Sequence, residues 1–419
     1  MTRSALPTSL VKRMRSVTAK AALEVASGIK PLPGLLEVEG GANSLAQQAA
    51  MIERLKGGHI LASAAHAQKW CTDVEIGSGR DTGTDTATGA DKDTGTDKDP
   101  GADKDMGAGT DTYAGTGSVA TSAGASPQTS LTGGGGRVIA HIIENAARRA
   151  ALDARMTRFE IERVARAVLE MHPEHSSQYS PKYSPEQAGR CSPSLQAVPR
   201  LVLIKGGAYV ALESEACLGR RLSDLDILVP EEDLASVEAA LFAAGWVFDE
   251  KTHNPYDQAY YRAQMHELPP MRHTHRRTLL DVHFRLMPRR ARYQLDHKAM
   301  MQAAVCLAGS PLRVLTADDA VIYAAAHAFL DGSFETPLRS LLELHTLTKG
   351  YTQADISRLY ARAKEVGGAA AISIAATLLA AYWGAQTPFL TGLEAGTVPK
   401  ANRSLVAVFK MRAALKRRY

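Results

Sequence analysis

The stretch LVLIKGGAYVALESEACLGRRLSDLDILV, Leu201 to Val229, decides how this chain is read. Leu201 to Ile204 is a branched apolar run suited to a buried strand, and Lys205-Gly206-Gly207 ends it where a helix can begin. Glycines at that point allow unusual backbone angles and close approach of a ligand, and a following helix turns N–H groups toward phosphate oxygens. Ser223 to Val229 reads as a second strand. Side chains alternate along a strand, so Asp224 and Asp226 share one face while Leu225 and Ile227 enter the core.

Two carboxylates held so close repel and raise each other's pKa unless a divalent cation neutralises them. Magnesium suits them, because it takes oxygen ligands and shares one or two carboxylates with substrate phosphates. A third acid is expected from a neighbouring strand. Leu279 to Leu286 supplies Asp281, with His283 facing the same way. Three aspartates so placed are what two-metal phosphoryl or nucleotidyl transfer requires, one ion activating the attacking oxygen and the other steadying the leaving pyrophosphate.

These pieces, in this order, resemble the polymerase-beta-like nucleotidyltransferase superfamily, marked by a glycine pair, Asp-x-Asp and a later lone Asp. More narrowly, the chain is similar to a poorly characterised bacterial nucleotidyltransferase family. The carrying residues are Lys205-Gly206-Gly207-Ala208, Arg220, Asp224-Leu225-Asp226-Ile227-Leu228-Val229 and Asp281-Val282-His283-Phe284, with His266-Glu267-Leu268-Pro269-Pro270 and the helical stretch around His327 and Arg339 in support. The likeness spans residues 137 to 350. Two departures are visible: a long gap from Gly207 to Asp224, read as a helix of variable length, and Phe284 where the family has Trp. The resemblance implies an α+β fold, a small mixed sheet with flanking helices and an α-helical C-terminal domain.

Composition sets the frame. The chain has 419 residues, 45% hydrophobic content and a net charge of +5, enough to bury a sizeable core in two or three domains. Cys71, Cys191, Cys217 and Cys306 show neither a zinc spacing nor a disulfide framework, which points to a reducing, cytoplasmic setting. No apolar run reaches the roughly 18 residues of a membrane span. The first 30 residues are basic but lack the apolar core of a secretory signal, and a transit peptide is the lesser reading.

From about residue 75 to 136 the chain is Gly, Thr, Asp, Ala and Ser, with near-repeats such as Gly89-Ala90-Asp91-Lys92-Asp93 and Gly101-Ala102-Asp103-Lys104-Asp105. Such a segment has nothing to bury and is expected to be disordered. It lacks the regular period of a calcium-binding β-roll. Asp73 to Asp111 carries −7, leaving +12 for the rest. The expected domains are an N-terminal helical segment (1–74, with a helix over 44–70), the insertion (75–136), the nucleotidyltransferase core (137–295, with an inserted loop at 174–196) and a helical C-terminal domain (296–419). Within the core, Arg137 to Met171 has helical spacing, followed beyond Asp226 by a helix over 232–244, strands over 246–249 and 259–265, and the strand bearing Asp281, with helices on one side of the sheet. Thr316 to Asp319 and Thr352 to Asp355 read as capping boxes.

Asp224, Asp226 and Asp281 are therefore the expected catalytic and metal-holding residues, probed against the plain reading of loop or capping acids. Lys205, Gly206, Gly207, Arg220 and Ser223 are the expected nucleotide and phosphate contacts. His283 and His266 are candidates for support behind the acids or for simple structural contacts; His327 is read as a core histidine. The basic end, Lys400 to Tyr419, is read as a final helix on its own domain rather than an RNA or membrane contact. The expected activity transfers a nucleoside monophosphate from an NTP to a hydroxyl acceptor (protein, small molecule or RNA) with Mg2+, two ions, and pyrophosphate release. The alternative is a nucleotide-binding regulatory or antitoxin-like protein on the same fold with little or no transfer; a scaffold built on the acidic arm is the third reading.

Overall fold

The computed structural model describes residues 55, 134–171, 200–252, 254–307, 310–330 and 336–414. The basic start, the 44–70 helix apart from Leu55, the Gly/Thr/Asp-rich insertion, the 174–196 loop and residues 415–419 lie outside them. Glu75–Gln128 is a unit by itself, and everything below concerns the other unit.

Seven strands form one mixed sheet in the order β3-β4-β5-β2-β1-β7-β6. They are β1 (Leu201–Leu203), β2 (Asp224–Leu228), β3 (Trp246–Phe248), β4 (Met271–His273), β5 (Leu279–His283), β6 (Val305–Cys306) and β7 (Leu312–Val314). β1 is antiparallel to β2, whereas β2 with β5 and β1 with β7 are parallel. This is the mixed α+β architecture expected from the sequence.

Helices cover both faces, not the single side expected. Leu201, Leu203, Leu225 and Ile227 pack with Ile161, Val164 and Val168 of helix α1 (Gly134–Glu170) and with Val237 and Leu241 of α3 (Leu234–Ala243). Val202, Ile204 and Leu228 point the other way, into a core shared with α6 (Ala317–Phe329), α7 (Pro337–Leu347), α8 (Gln353–Glu365) and α9 (Ala369–Trp383). The physical sign of this was available: Leu201 to Ile204 is apolar at every position, as a strand buried on both faces must be. Each such fully buried side chain contributes about 1.5–3 kcal/mol.

Three further differences have local causes. Residues 259–264 of the strand expected over 259–265 belong to helix α4 (Pro255–Gln264), with Met265 as its C-terminal cap. Asn254 caps it by accepting from Asp257 N at 2.8 Å, and Pro255 stands in the first turn, so cap and proline override β propensity. The expected helix after the glycine pair, α2 (Lys205–Ala211), is only seven residues long, and the rest of the gap to β2 is irregular around a 3-10 turn at Glu215–Cys217. The boundary at 296 is crossed: α5 (His297–Ala303) is followed by β6 and β7, which complete the sheet. Two- and three-residue strands fall below the length at which alternation can be read.

The capping devices are real but unequal. Thr352 and Asp355 form the full reciprocal box. Thr316 accepts from Asp319 N, but the Asp319 carboxylate turns to Arg362 in a two-pronged pair at 2.9 and 3.1 Å, tying α6 to α8. On the sheet's other face, Arg276 holds Glu160 of α1 at 2.7 and 2.9 Å. The window Ala369–Gln386 is long and apolar enough to cross a membrane, yet Ala371, Ile372, Ala375, Leu378 and Leu379 are buried within the fold. Cys217 is a free, buried thiol, whereas Cys306 is disulfide-bonded, a pairing the scattered cysteines did not announce.

Candidate active site

Parallel pairing of β2 with β5 sets Asp226 beside Asp281 in register, with Asp224 one step back along β2. Because side chains alternate, the inward partners Leu225, Ile227, Leu280 and Val282 are all buried while the three acids share the opposite face. One oxygen from each of Asp224, Asp226 and Asp281 lies within 4.8 Å of the others. The strand reading thus placed the third acid correctly.

Asp226 is the centre of the group and is 4% exposed. Its Oδ1 accepts from Lys205 Nζ at 2.7 Å and from His283 Nε2 at 3.0 Å. Burial acts to raise its pKa, but Lys205 and the His283 hydrogen bond overcome that and hold it well below the usual carboxylate range. Lys205 answers in kind: burial acts to lower it, yet Asp226 raises it above the ordinary lysine value, so the ammonium is fixed in its charged form. The other two acids lack such a partner. Asp224 is raised by burial and then by Asp226. Asp281 is pushed up to about 8 by burial, Asp226, Glu267 and Asp224.

Three clustered carboxylates thus share one contacting ammonium, with Arg220 farther off, and that shortage of positive charge, expressed in the raised Asp281, fits a hard divalent ion bound by oxygen donors. Asp224, Asp226 and Asp281 are the residues that can hold it. Such an ion, when bound, neutralises phosphate charge and lowers the pKa of a coordinated oxygen.

A second group adjoins the first. The segment 266–268 pairs with the end of β5, through Leu268 N to Val282 O at 2.8 Å and Phe284 N to His266 O at 2.9 Å, and this carries His266 and Glu267 to His283. Glu267 Oε2 lies 3.4 Å from His283 Nε2 and 3.9 Å from His266 Nε2, and the two imidazole centroids are 5.1 Å apart. Burial, then His283 and Lys205, push His266 down to about 3, so it is neutral. His283 is fully buried, and its Nδ1 has no hydrogen-bond partner among the described residues.

The remaining expected contacts are placed as follows. Gly206 and Gly207 form the first turn of α2, where an added Cβ would lie 2.3 Å from Leu222 Cδ2 or 2.7 Å from Leu225 Cδ1; the pair lets α2 lie directly against β2 and its approach. The residue in the left-handed region is Lys205 itself, at φ 49°. Ser223 Oγ donates to Asp224 Oδ1 at 3.0 Å. Arg220 is turned to Glu343 of α7, which also accepts from Tyr209 OH at 2.7 Å, and Arg221 pairs with Asp153 of α1. Arg339 Nη2 donates to Ala216 O at 2.8 Å. His327 is exposed instead of core, with its ring 6.1 Å from that of Tyr323.

Glu267, Tyr323 and Glu343 were not singled out from the sequence. Glu267 had a signal, since it sits beside His266 in a quoted motif; Glu343 had none, being 123 residues from the arginine it meets. A cavity of about 730 Å³ is bounded by Ile204, Lys205, Tyr209, Leu315, Tyr323 and Leu347 among others, with none of the three acids in its wall. Lys205 belongs to both the cavity wall and the acid cluster.

Residues 197–384 match the model of a family described as an uncharacterised nucleotidyltransferase. No curated protein and no solved structure matches the chain.

Proposed function

We propose, from the match of residues 197–384 to the model of a nucleotidyltransferase family, that the protein transfers a nucleoside monophosphate from an NTP to a hydroxyl acceptor, with Mg2+ held by Asp224, Asp226 and Asp281 and pyrophosphate as leaving group. The observation that carries this reading is the convergence of those three carboxylates on neighbouring parallel strands, with Asp226 and Asp281 side by side. Scattered surface acids do not arise in this pattern, and they are not driven to share charge as Asp281 is.

The chain's own groups divide the work. Asp226, kept ionised by Lys205 and His283, is the permanent anion of the cluster. Asp281, in its ionised form beside Asp226, would be the carboxylate placed to accept a proton from an acceptor hydroxyl. Gly206 and Gly207 keep the α2 backbone within reach of the acids, since Gly207 packs on Leu225 directly beside Asp226. The cavity beside Lys205 has the size and the largely apolar wall that receive the uncharged part of a small substrate. A small molecule is thereby favoured as acceptor over an RNA end.

The test is incubation of the purified protein with each α-labelled NTP and magnesium, with and without cell extract, beside Asp226→Asn. Label that depends on Asp226, on an extract component or on the protein itself, is the expected result. Nucleotide binding without any transfer would sink the enzyme reading and leave the regulatory one.

A further inference from the structure

Lys205 occupies a position that a metal ion would otherwise compete for. Its Nζ stands 2.7 Å from Asp226 Oδ1, and His283 Nε2 reaches the same oxygen at 3.0 Å. A carboxylate oxygen with an ammonium and an imidazole N–H on it has no open direction for a divalent ion, so only Oδ2 of Asp226 is left to one. On the far side of this contact Glu267 lies 3.4 Å from His283 Nε2.

Charge repulsion points the same way. A second divalent ion at Asp226 Oδ1 would face the ammonium at close range, a repulsion of several kcal/mol even at an effective dielectric of about 20. The Lys205 side chain is only 18% exposed, and its backbone, at φ 49°, is set by the entry into α2.

We propose that Lys205 is a built-in cation of the carboxylate cluster, filling the Asp226 Oδ1 side in place of a second metal ion, so that the cluster takes one divalent ion between Asp224, Asp281 and Oδ2 of Asp226. This rests on the nucleotidyltransferase reading for its purpose, but its test needs no turnover. It replaces the two-ion expectation drawn from the sequence with one ion and one fixed ammonium.

The experiment counts ions. The full-length protein, freed of metal by chelation, is titrated with Mn2+, and free Mn2+ is followed by electron paramagnetic resonance. The expected result is one Mn2+ per chain, lost in Asp281→Asn, and bound at least tenfold more tightly in Lys205→Met, where an apolar chain of similar length removes the competing charge. Two ions per wild-type chain would overturn the proposal, as would a Lys205→Met protein that binds Mn2+ no more tightly than wild type. The wild-type count stands even where the variant does not fold. If one ion binds and no labelled NTP is ever transferred, the activity reading fails while this one holds; transfer accompanied by two ions gives the reverse.

Discussion

Arg220 and Glu343 form a buried ion pair across the join between the approach to β2 and helix α7, bringing together residues 123 positions apart. Tyr209 completes it from α2, its hydroxyl on Glu343 and its ring 5.7 Å beneath the Arg220 guanidinium. The helical layer is thus pinned to the two elements that deliver Lys205 and Asp224. Removing one partner of such a pair strands the other charge in the interior. Arg220→Ala or Glu343→Ala is expected to lower stability by about 3–5 kcal/mol, read as a shift in urea midpoint, whereas the double change Arg220→Met with Glu343→Leu costs much less. A double variant that loses the sum of the two single losses would show that the pair does not act as a unit.

The acids carry their own prediction. In metal-free protein Asp281→Asn removes one of three crowded carboxylates, so its melting temperature in EDTA should rise, while transfer activity is abolished. Asp226→Asn should lose activity too but melt lower, because it leaves Lys205 without the anion that offsets its burial. Opposite shifts from two aspartates in one cluster are the signature; shifts of the same sign would contradict the assigned charges.

Gly207→Ala is expected to cost about 1–3 kcal/mol and to reduce activity further than that loss explains, since its Cβ would stand 2.7 Å from the buried Leu225 and press α2 away from β2. Gly206→Ala meets the tip of Leu222, which is only partly buried and can turn aside, so its effect should be smaller. Thermal melts beside single-turnover rates separate the two.

His345 gives a pH effect away from the acids. Its ring stacks on Trp383 at 4.4 Å, and burial, with a smaller contribution from Lys349, pushes it down to about 4. Between the ordinary histidine value near 6.5 and about 4, the unfolded chain binds a proton that the folded one does not. Stability therefore falls as pH drops through that window and levels off below it, by at most about 3 kcal/mol from this residue. His345→Phe keeps the stack and should flatten part of the acid limb of a stability-versus-pH curve; an unchanged limb would acquit His345.

The cavity can be probed without touching the acids. Ala320→Trp, on the α6 wall, should fill it and raise KM for one substrate tenfold or more with kcat nearly unchanged, the mark of lost uniform binding. Unaltered KM for both substrates would mean that neither enters there.

Much of the acid site was legible because a period of two is a strong local rule. Asp224, Asp226, Asp281 and His283 could each be assigned a face from their neighbours alone, and parallel pairing did the rest. The capping threonines were legible for the same local reason. What escaped reading was whatever depended on distance along the chain or on very short elements. No local rule reveals that the Lys205 ammonium will lie on Asp226. Nor does one reveal that Arg220 will meet Glu343, which arrives from a helix far downstream. The stretch 259–265 reads as a strand, and a single asparagine and proline ahead of it decide otherwise.

β7, three residues from what looked like a separate helical half, lies on the outer side of β1. The strand that launches Lys205 thus has its second neighbour drawn from beyond residue 300, and a chain ending before it would leave that flank of the sheet bare. The acid-bearing strands and the helical half are consequently joined through one sheet, and a cut between them divides a single body.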